Sequence, residues 1–329
     1  MKELTAERFS SLQSNITSQR IAIVGDLMVD RYFWGSVNRI SPEAPVPVVD
    51  IHEEAIRMGG GANCANNIAR LGGTPVLIGL VGEDTMGRDF QSLLSSLQLP
   101  TEGIVTDSER PTTVKTRIIS QGQQLVRTDR EDRSTISAKT EDRILALFTE
   151  MALNMDAVIL QDYNKGLMTP RLVAEVIRIA RAAELIITVD PKMQNFFEYR
   201  EVTLFKPNQR EAETALGYSI EDDDAVERGL HELQGRLQCD HVLITRGERG
   251  MALLESDGTI SMVPTLAQEV ADVSGAGDTV ISTLTTLLTA GAKPQEAASI
   301  ANQAAGIVVG EVGVVPISIE QLAQQYGAV

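Results

Sequence analysis

Residues 158–189, VILQDYNKGLMTPRLVAEVIRIARAAELIITV, decide the fold. This stretch begins with an apolar run at 158–160, continues through a segment of helical periodicity at 171–182, and ends in a second apolar run at 185–189. Apolar runs without alternation are typical of strands that are covered on both faces. Because the same succession of strand and helix recurs along the chain, we predict a doubly wound α/β fold with a mainly parallel sheet and helices on both faces.

The other elements follow from the same two patterns. Apolar runs predict further strands at residues 21–24, 46–51, 76–81, 203–205, 242–245 and 251–254. Helical periodicity predicts further helices at residues 62–71, 88–97, 140–153 and 225–237.

Two segments interrupt the alternation of strands and helices. Residues 31–51 contain prolines at 42, 45 and 47, which permit only extended or edge structure, and residues 111–129 have the period-two pattern of a hairpin. The two segments could form a small β-layer that projects from the α/β body, or two edge strands of the main sheet. Periodicity leaves both arrangements open.

Composition excludes several classes of protein. The 329 residues are 43% hydrophobic and 22% charged, as in ordinary globular proteins, and carry a formal net charge of -16. A surface this acidic repels nucleic acid and anionic lipid, although it permits a small anionic ligand in a local site. The two cysteines cannot form a disulfide framework, and we find neither a signal peptide nor an apolar run of about 18 residues. We therefore expect a soluble cytoplasmic protein.

The stretch Asp272-Val273-Ser274-Gly275-Ala276-Gly277-Asp278-Thr279 carries the clearest chemical signal. The apolar periodicity that follows it makes residues 275–277 the start of a helix, where backbone N–H groups lack intrahelical partners and small side chains admit an anion. Asp278 then lies in the first turn beside that anion site. A carboxylate that takes or orients a hydroxyl proton there suits phosphoryl transfer. The alternative is a glycine-rich turn in which Asp278 only complements the helix dipole.

Three shorter motifs accompany this one. Residues 245–247, Thr-Arg-Gly, follow a predicted strand, at the sheet edge where α/β proteins bind ligands. Asn208 and Glu211 are spaced to hold hydrated Mg²⁺, or else to form a capping box. Residues 58–63, Met-Gly-Gly-Gly-Ala-Asn, open another helix, where glycines either admit a polar ligand beside Asn63 or permit tight packing.

In type and order, these motifs resemble those of ribokinase-like (PfkB-type) carbohydrate kinases along essentially the whole chain. The resemblance implies one kinase domain over residues 1–329, with a small β-lid near 31–51 and 111–129 above the sugar site. Lids in this family often pair between subunits, so the resemblance also implies a homodimer.

The resemblance assigns a role to each motif. It makes Asp278 the catalytic base and the backbone of Gly275, Ala276 and Gly277 the anion hole. ATP and the water shell of Mg²⁺ would be contacted by Asn208, Gln209, Arg210 and Glu211. Asn208 and Glu211 would reach the metal through water. The rest of the nucleotide would meet Thr245, Arg246, Gly247 and Asn302. The sugar would meet Asp30, Gly59, Gly60, Asn63 and Asp162, and the candidates for binding its phosphate are Lys115, Arg117, Arg127 and Lys192.

Within the family, the chain is most similar to kinases of D-glycero-β-D-manno-heptose 7-phosphate, which act in ADP-heptose and lipopolysaccharide core synthesis. The segments that carry this narrower match are 30–32, 39–49, 123–127, 162–166 and 190–192. The implied reaction transfers the γ-phosphoryl group of ATP to the anomeric O1. Many such relatives continue into a nucleotidyltransferase domain, so we expect this chain to be the kinase half and a separate adenylyltransferase to act downstream. Gln161 stands where a small residue is expected, a change that we expect to leave Asp278 untouched.

Three alternative functions remain. The nearest is a kinase of the same family that acts on another sugar or a nucleoside. Another is a sugar-binding protein that has lost catalysis, although the intact motif around Asp278 disfavours it. A dinucleotide-dependent oxidoreductase is disfavoured because residues 25–30, Gly-Asp-Leu-Met-Val-Asp, lack the G-x-G-x-x-G that normally follows the first strand.

Overall fold

A computed structural model describes residues 4–265, 272–311 and 313–328 of the chain. Within these ranges the strands are β1 (Arg20–Gly25), β2 (Leu27–Ile40), β3 (Pro47–Gly60), β4 (Thr74–Gly82), β5 (Ile104–Asp107), β6 (Thr113–Ser120), β7 (Gln123–Arg130), β8 (Ala157–Gln161), β9 (Ile186–Asp190), β10 (Leu204–Phe205), β11 (His241–Thr245), β12 (Met251–Leu254) and β13 (Ile260–Val263). The helices are α1 (Ala6–Ile16), α2 (Gly61–Arg70), α3 (Thr85–Ser96), α4 (Ala138–Ala152), α5 (Pro170–Ala182), α6 (Gln209–Leu216), α7 (Asp223–Leu237), α8 (Ala276–Thr289), α9 (Pro294–Val308) and α10 (Ile319–Gln325). In the described part of the chain, no helix has the length and apolar character needed to cross a membrane.

The main sheet has the strand order β13-β12-β11-β10-β9-β8-β1-β4-β5 within the described ranges. Neighbours from β11 to β5 pair in parallel, whereas β12 and β13 are added antiparallel at one edge. The predicted doubly wound, mainly parallel sheet is therefore confirmed. The five predicted helices begin and end within three residues of their observed bounds.

Helices cover both faces of this sheet, because alternate residues of each strand point to opposite sides. On β1, Ala22 and Val24 join a hydrophobic cluster with α4, α5 and α7, whereas Ile21 and Ile23 join another with α2 and α3. All four side chains are completely buried. Burial on both faces explains why the strands read as continuous apolar runs.

A second sheet has the order β3-β2-β6-β7. It contains the segments that were predicted to form a lid, and we call this sheet the lid. β2 pairs antiparallel with β3 and parallel with β6, and β6 pairs antiparallel with β7. Of the two arrangements that periodicity left open, the separate β-layer is therefore confirmed. The lid extends beyond the predicted segment 31–51, since β3 continues to Gly60 and leads directly into α2.

The sheet order brings distant parts of the chain to one edge. Strands β1, β8, β9, β10 and β11 are adjacent and parallel, so their carboxyl ends lie side by side. Gln161, Asp190 and Thr245 are the last residues of three of these strands, and Lys206 directly follows a fourth. Ligands of open α/β sheets bind at this edge.

Candidate active site

The glycine-rich segment 275–277 forms the start of α8, as predicted. Gly275 caps the helix with φ +82°, and a Cβ there would lie 2.9 Å from Asn63 Nδ2, so both the backbone conformation and the space require glycine. Among the described residues, the N–H of Gly277 has no hydrogen-bond acceptor. Ala276 and Gly277 line a cleft at this point. Free N–H groups and small side chains at a helix N-terminus form a site for an anion.

The carboxylate of Asp278 lies beside this anion site and is 3% exposed. Asn63 Nδ2 donates to Oδ2 at 2.8 Å, while Gln161 Nε2 donates to Oδ1 at 3.1 Å and the Tyr163 hydroxyl donates to the same Oδ1. Burial raises the pKa of Asp278 to about 6, against the lowering effect of the hydrogen bonds from Tyr163 and Asn63. A carboxylate with a pKa closer to neutrality is better matched to general-base work.

A buried ion pair adjoins the first turn of α8. Lys206 is 2% exposed, and its Nζ lies 3.0 Å from Asp190 Oδ2. A Cβ on Gly277 would lie 3.6 Å from that same oxygen and 3.9 Å from Lys206 Nζ, so the ammonium group is next to the anion site. Sequence analysis missed Lys206. The signal was available, because a lysine directly after a predicted strand falls at the ligand-binding edge of the sheet.

The structure bears on two expectations about the corner at 161–166. The Asp162 carboxylate is buried and accepts hydrogen bonds from the Asn164 N–H and the Tyr199 hydroxyl, both at 2.7 Å. Its predicted contact with the sugar has no support in this geometry. Gln161 does affect Asp278, since its amide donates to Asp278 Oδ1 and also, at 3.2 Å, to Asp190 Oδ2. Tyr163, to which sequence analysis assigned no role, also contacts the proposed base.

The cleft beside α8 has a volume of about 260 Å³. Its lining includes the predicted nucleotide residues Thr245, Gly247 and Asn302. Arg246 does not line this cleft, because its guanidinium group lies towards α7, with Nη1 3.5 Å from Asp223 Oδ1 and Nη2 3.4 Å from the Glu221 carbonyl oxygen.

The segment 208–211 forms a capping box at the start of α6. Asn208 Oδ1 accepts from the Glu211 N–H and Glu211 Oε2 accepts from the Asn208 N–H, both at 2.9 Å. Glu211 Oε1 accepts from Lys192. Both carboxylate oxygens of Glu211 therefore already have protein partners. Asn208 and Glu211 are thus better suited to contact a metal ion through its bound water than to ligate it directly. No group of three or more His, Cys, Asp or Glu side chains in the described ranges is arranged to hold a metal.

Gln209 and Arg210, the other two residues of segment 208–211, lie away from the cleft. Gln209 Nε2 donates to Glu213 Oε1 at 2.9 Å, and Gln209 Oε1 accepts from Arg249 at 2.8 Å. Arg210 is exposed. Neither lines the cleft, so their predicted contacts with ATP have no support in the geometry.

Two of the predicted sugar residues, Asp30 and Gly59, lie on the lid strands β2 and β3. Asp30 is buried and accepts a hydrogen bond from Arg117 Nη1. A Cβ on Gly59 would lie 2.3 Å from Asp30 Oδ2, which explains the glycine. The guanidinium groups of Arg117 and Arg57 lie 5.2 Å and 5.0 Å from the centre of the Tyr32 ring. Sequence analysis missed Arg57, which no motif distinguished from a surface cation.

Gly60, at the end of β3, connects the lid to α2. It has φ +59°, and a Cβ there would lie 2.6 Å from the Asp26 carbonyl oxygen. The glycine thus permits the turn that carries Asn63 to Asp278.

All four candidate phosphate cations are paired with carboxylates, and Arg117 has Asp30 as its partner. Lys115 Nζ lies 3.2 Å from Asp129 Oδ2, and Arg127 Nε lies 2.9 Å from Asp129 Oδ1. Lys192 pairs with Glu211. Of the four candidates, only Arg117 contacts the buried Asp30.

Comparison with known proteins agrees with this geometry. Residues 18–321 match the family described as pfkB family carbohydrate kinase. The bifunctional protein HldE of Geotalea uraniireducens is 39% identical over 321 residues, covering 98% of this chain and 66% of that protein. HldE of Helicobacter pylori strain HPAG1 is 41% identical over 305 residues, covering 93% of this chain and 66% of that protein. The chain thus spans less than two thirds of the length of these curated relatives.

Solved structures share the fold. Phosphofructokinase-2 from Escherichia coli in complex with potassium gives a TM-score of 0.77 at 18% identity, covering 94% of this chain and 98% of that one. Arabidopsis thaliana ribokinase complexed with ribose and ATP gives a TM-score of 0.74 at 18% identity, with the same shares of each chain covered. The predicted ribokinase-like fold is confirmed.

Proposed function

The chain belongs to the pfkB family of carbohydrate kinases, and from that premise we propose that it phosphorylates D-glycero-D-manno-heptose 7-phosphate at O1, giving the 1,7-bisphosphate. One observation carries the reaction type: the buried Asp278 carboxylate lies in the same turn as the free N–H of Gly277. The sugar is proposed from the segments 39–49 and 123–127, which resemble those of heptose 7-phosphate kinases.

In the proposed reaction, Asp278 accepts the proton of the O1 hydroxyl as O1 bonds to the γ-phosphorus of ATP. The bond from that phosphorus to the β–γ bridging oxygen breaks, and ADP leaves with the electron pair. The N–H groups at the start of α8 and the Lys206 ammonium stabilise charge on the transferring group. An anomeric hydroxyl is more acidic than other sugar hydroxyls, so a carboxylate is an adequate base.

For ATP we propose the cleft beside α8, with the adenine near Asn302 and the phosphates near Thr245 and Gly247. Mg²⁺ supplies charge neutralisation of the phosphates when it is bound. Asn208 and Glu211 would reach its water shell while they keep their capping box.

For the substrate's own phosphate we propose Arg117, assisted by Arg57. A guanidinium group binds a phosphate dianion in a bidentate manner, and both groups lie on the inner face of the lid beside Asp30 and Tyr32. Closure of the lid would exclude water and limit hydrolysis of ATP.

We also propose that the lid pairs with the lid of a second copy. Its apolar side chains include Ile40, Val46 and Val126, which are 62%, 51% and 46% exposed. Light scattering should therefore give the mass of a dimer, and Val126→Glu should shift the protein towards monomer. A monomer at micromolar concentration in the unsubstituted protein would contradict this pairing.

The substrate is tested by measuring ADP release with Mg-ATP and each of heptose 7-phosphate, fructose 6-phosphate, fructose, ribose and adenosine. We expect the highest kcat/KM with heptose 7-phosphate. Activity confined to an unphosphorylated sugar or a nucleoside would overturn the proposed substrate and favour the alternative, a kinase of that acceptor within the same family.

A further inference from the structure

The two oxygens of the Asp278 carboxylate have unequal surroundings. Oδ1 accepts two hydrogen bonds, from Gln161 Nε2 and the Tyr163 hydroxyl, whereas Oδ2 accepts one among the described residues, from Asn63 Nδ2. A carboxylate offers about four accepting sites, two on each oxygen. The described residues therefore leave one accepting site, and it is on Oδ2.

The position of the Tyr163 side chain is fixed through the backbone of its loop, which is hydrogen-bonded to Asp26. Asp26 Oδ2 accepts hydrogen bonds from the N–H of Tyr163 at 2.8 Å and of Lys165 at 3.1 Å. Asp26 is 3% exposed and directly follows β1, next to the end of β8 in the sheet. Buried backbone hydrogen bonds to a carboxylate fix the loop, so the phenol reaches Asp278 at little further cost in conformational entropy.

We infer that Tyr163 is a positioning residue whose hydroxyl, together with the Gln161 amide, occupies Oδ1 of Asp278 and so makes Oδ2 the oxygen that receives the acceptor's proton. The inference rests on the proposed function, because it takes Asp278 to be the base. The proton moves from the sugar O1 hydroxyl to Asp278 Oδ2, while Tyr163 keeps its own proton and continues to donate to Oδ1.

Titration of Asp278 is the property that Tyr163 changes. A donor to the carboxylate stabilises its charged form, and its removal raises the pKa of the acid. The other charged and titratable groups near Asp278 are Asp190, which raises its pKa, Lys206, which lowers it, and Cys64 and Lys192. Since the pKa of Asp278 is about 6, the base should lose activity as the pH falls through that value.

The test is the pH dependence of kcat/KM for the sugar phosphate in the unsubstituted enzyme and in Tyr163→Phe. We expect the acid limb of the profile to move to higher pH by about one to two units in the variant, because the charged form of Asp278 loses a hydrogen bond that stabilises it. Tyr199→Phe is the matched control, because it also removes a buried tyrosine hydroxyl from an aspartate, Asp162 at 2.7 Å. We expect the control to leave the acid limb in place even where it lowers the melting temperature.

An acid limb that does not move in folded Tyr163→Phe would overturn the inference. If that variant does not fold, Gln161→Met removes the other donor to Oδ1 and must move the limb in the same direction, and an unmoved limb overturns the inference equally. Failure of the proposed function is a separate result, since near-normal turnover in Asp278→Asn would remove Asp278 as the base whatever the Tyr163 variant does.

Discussion

The surroundings of Asp278 and the inner face of the lid are built in different ways. Asp278 is held by side chains from α2 and from the end of β8, and it is nearly inaccessible to solvent. The cations of the lid pair with lid carboxylates, as Lys115 and Arg127 do with Asp129, and Arg127 remains 49% exposed. Exposed ion pairs contribute little stability each. On the proposed function, the core positions the reacting groups. Of the lid cations, Arg117 pairs with the buried Asp30, whereas the outer pairs can rearrange.

The largest effect should follow a change at the base. Asp278→Asn keeps the shape of the side chain but cannot accept the proton, so kcat should fall by several orders of magnitude, since general-base catalysis contributes about 10²–10⁴-fold. Steady-state ADP release measures this loss. Calorimetric titration with ATP should give a nearly unchanged Kd, and a variant that also loses ATP would show that the two functions are not separate.

The next largest effect should follow loss of the buried ammonium. Lys206→Met should lower kcat by about 10²-fold, the scale of a preorganised charge at a transition state, with a small change in the KM for the sugar. Removal of Lys206 also leaves Asp190 as an unpaired buried carboxylate, so the single variant should be less stable. The double variant Lys206→Met, Asp190→Asn controls for this: melting temperature should recover while kcat does not. Recovery of kcat would make Lys206 structural.

Smaller effects should follow changes in the lid, and they separate two of its cations. Arg117→Ala should raise the KM for the phosphorylated sugar by about tenfold or more, the scale of a charge-assisted hydrogen bond, and leave the KM for ATP unchanged. Arg127→Ala should change the same KM by about threefold or less. Arg127 is 49% exposed, and its surface ion pair with Asp129 contributes little energy. Equal effects of the two substitutions would contradict the distinction between them.

Much of the fold follows from local patterns. The strands and helices between residues 158 and 189 were predictable because burial on both faces of a strand, and on one face of a helix, leaves a periodic trace in the sequence. The strands β5 and β13 lie at the two edges of the main sheet and alternate buried with more exposed residues, so they lack a continuous apolar run and were not predicted. The separate lid sheet was also undecided, since the pairing of β2 with β6 joins residues that are 85 positions apart, such as Met28 and Thr113.

The features of the candidate site also differ in whether the sequence or the tertiary structure determined them. The sequence alone determined that residues 275–277 open a helix with small side chains and that Asp278 lies in its first turn, because each part of that arrangement lies within one helix start. Only the tertiary structure decided that Gln161, Tyr163 and Lys206 gather around Asp278 while Asp162 and Arg246 turn away. The physical reason is that the order of strands in a sheet depends on long-range pairing, and the direction of each side chain at a strand end depends on which buried polar group needs a partner.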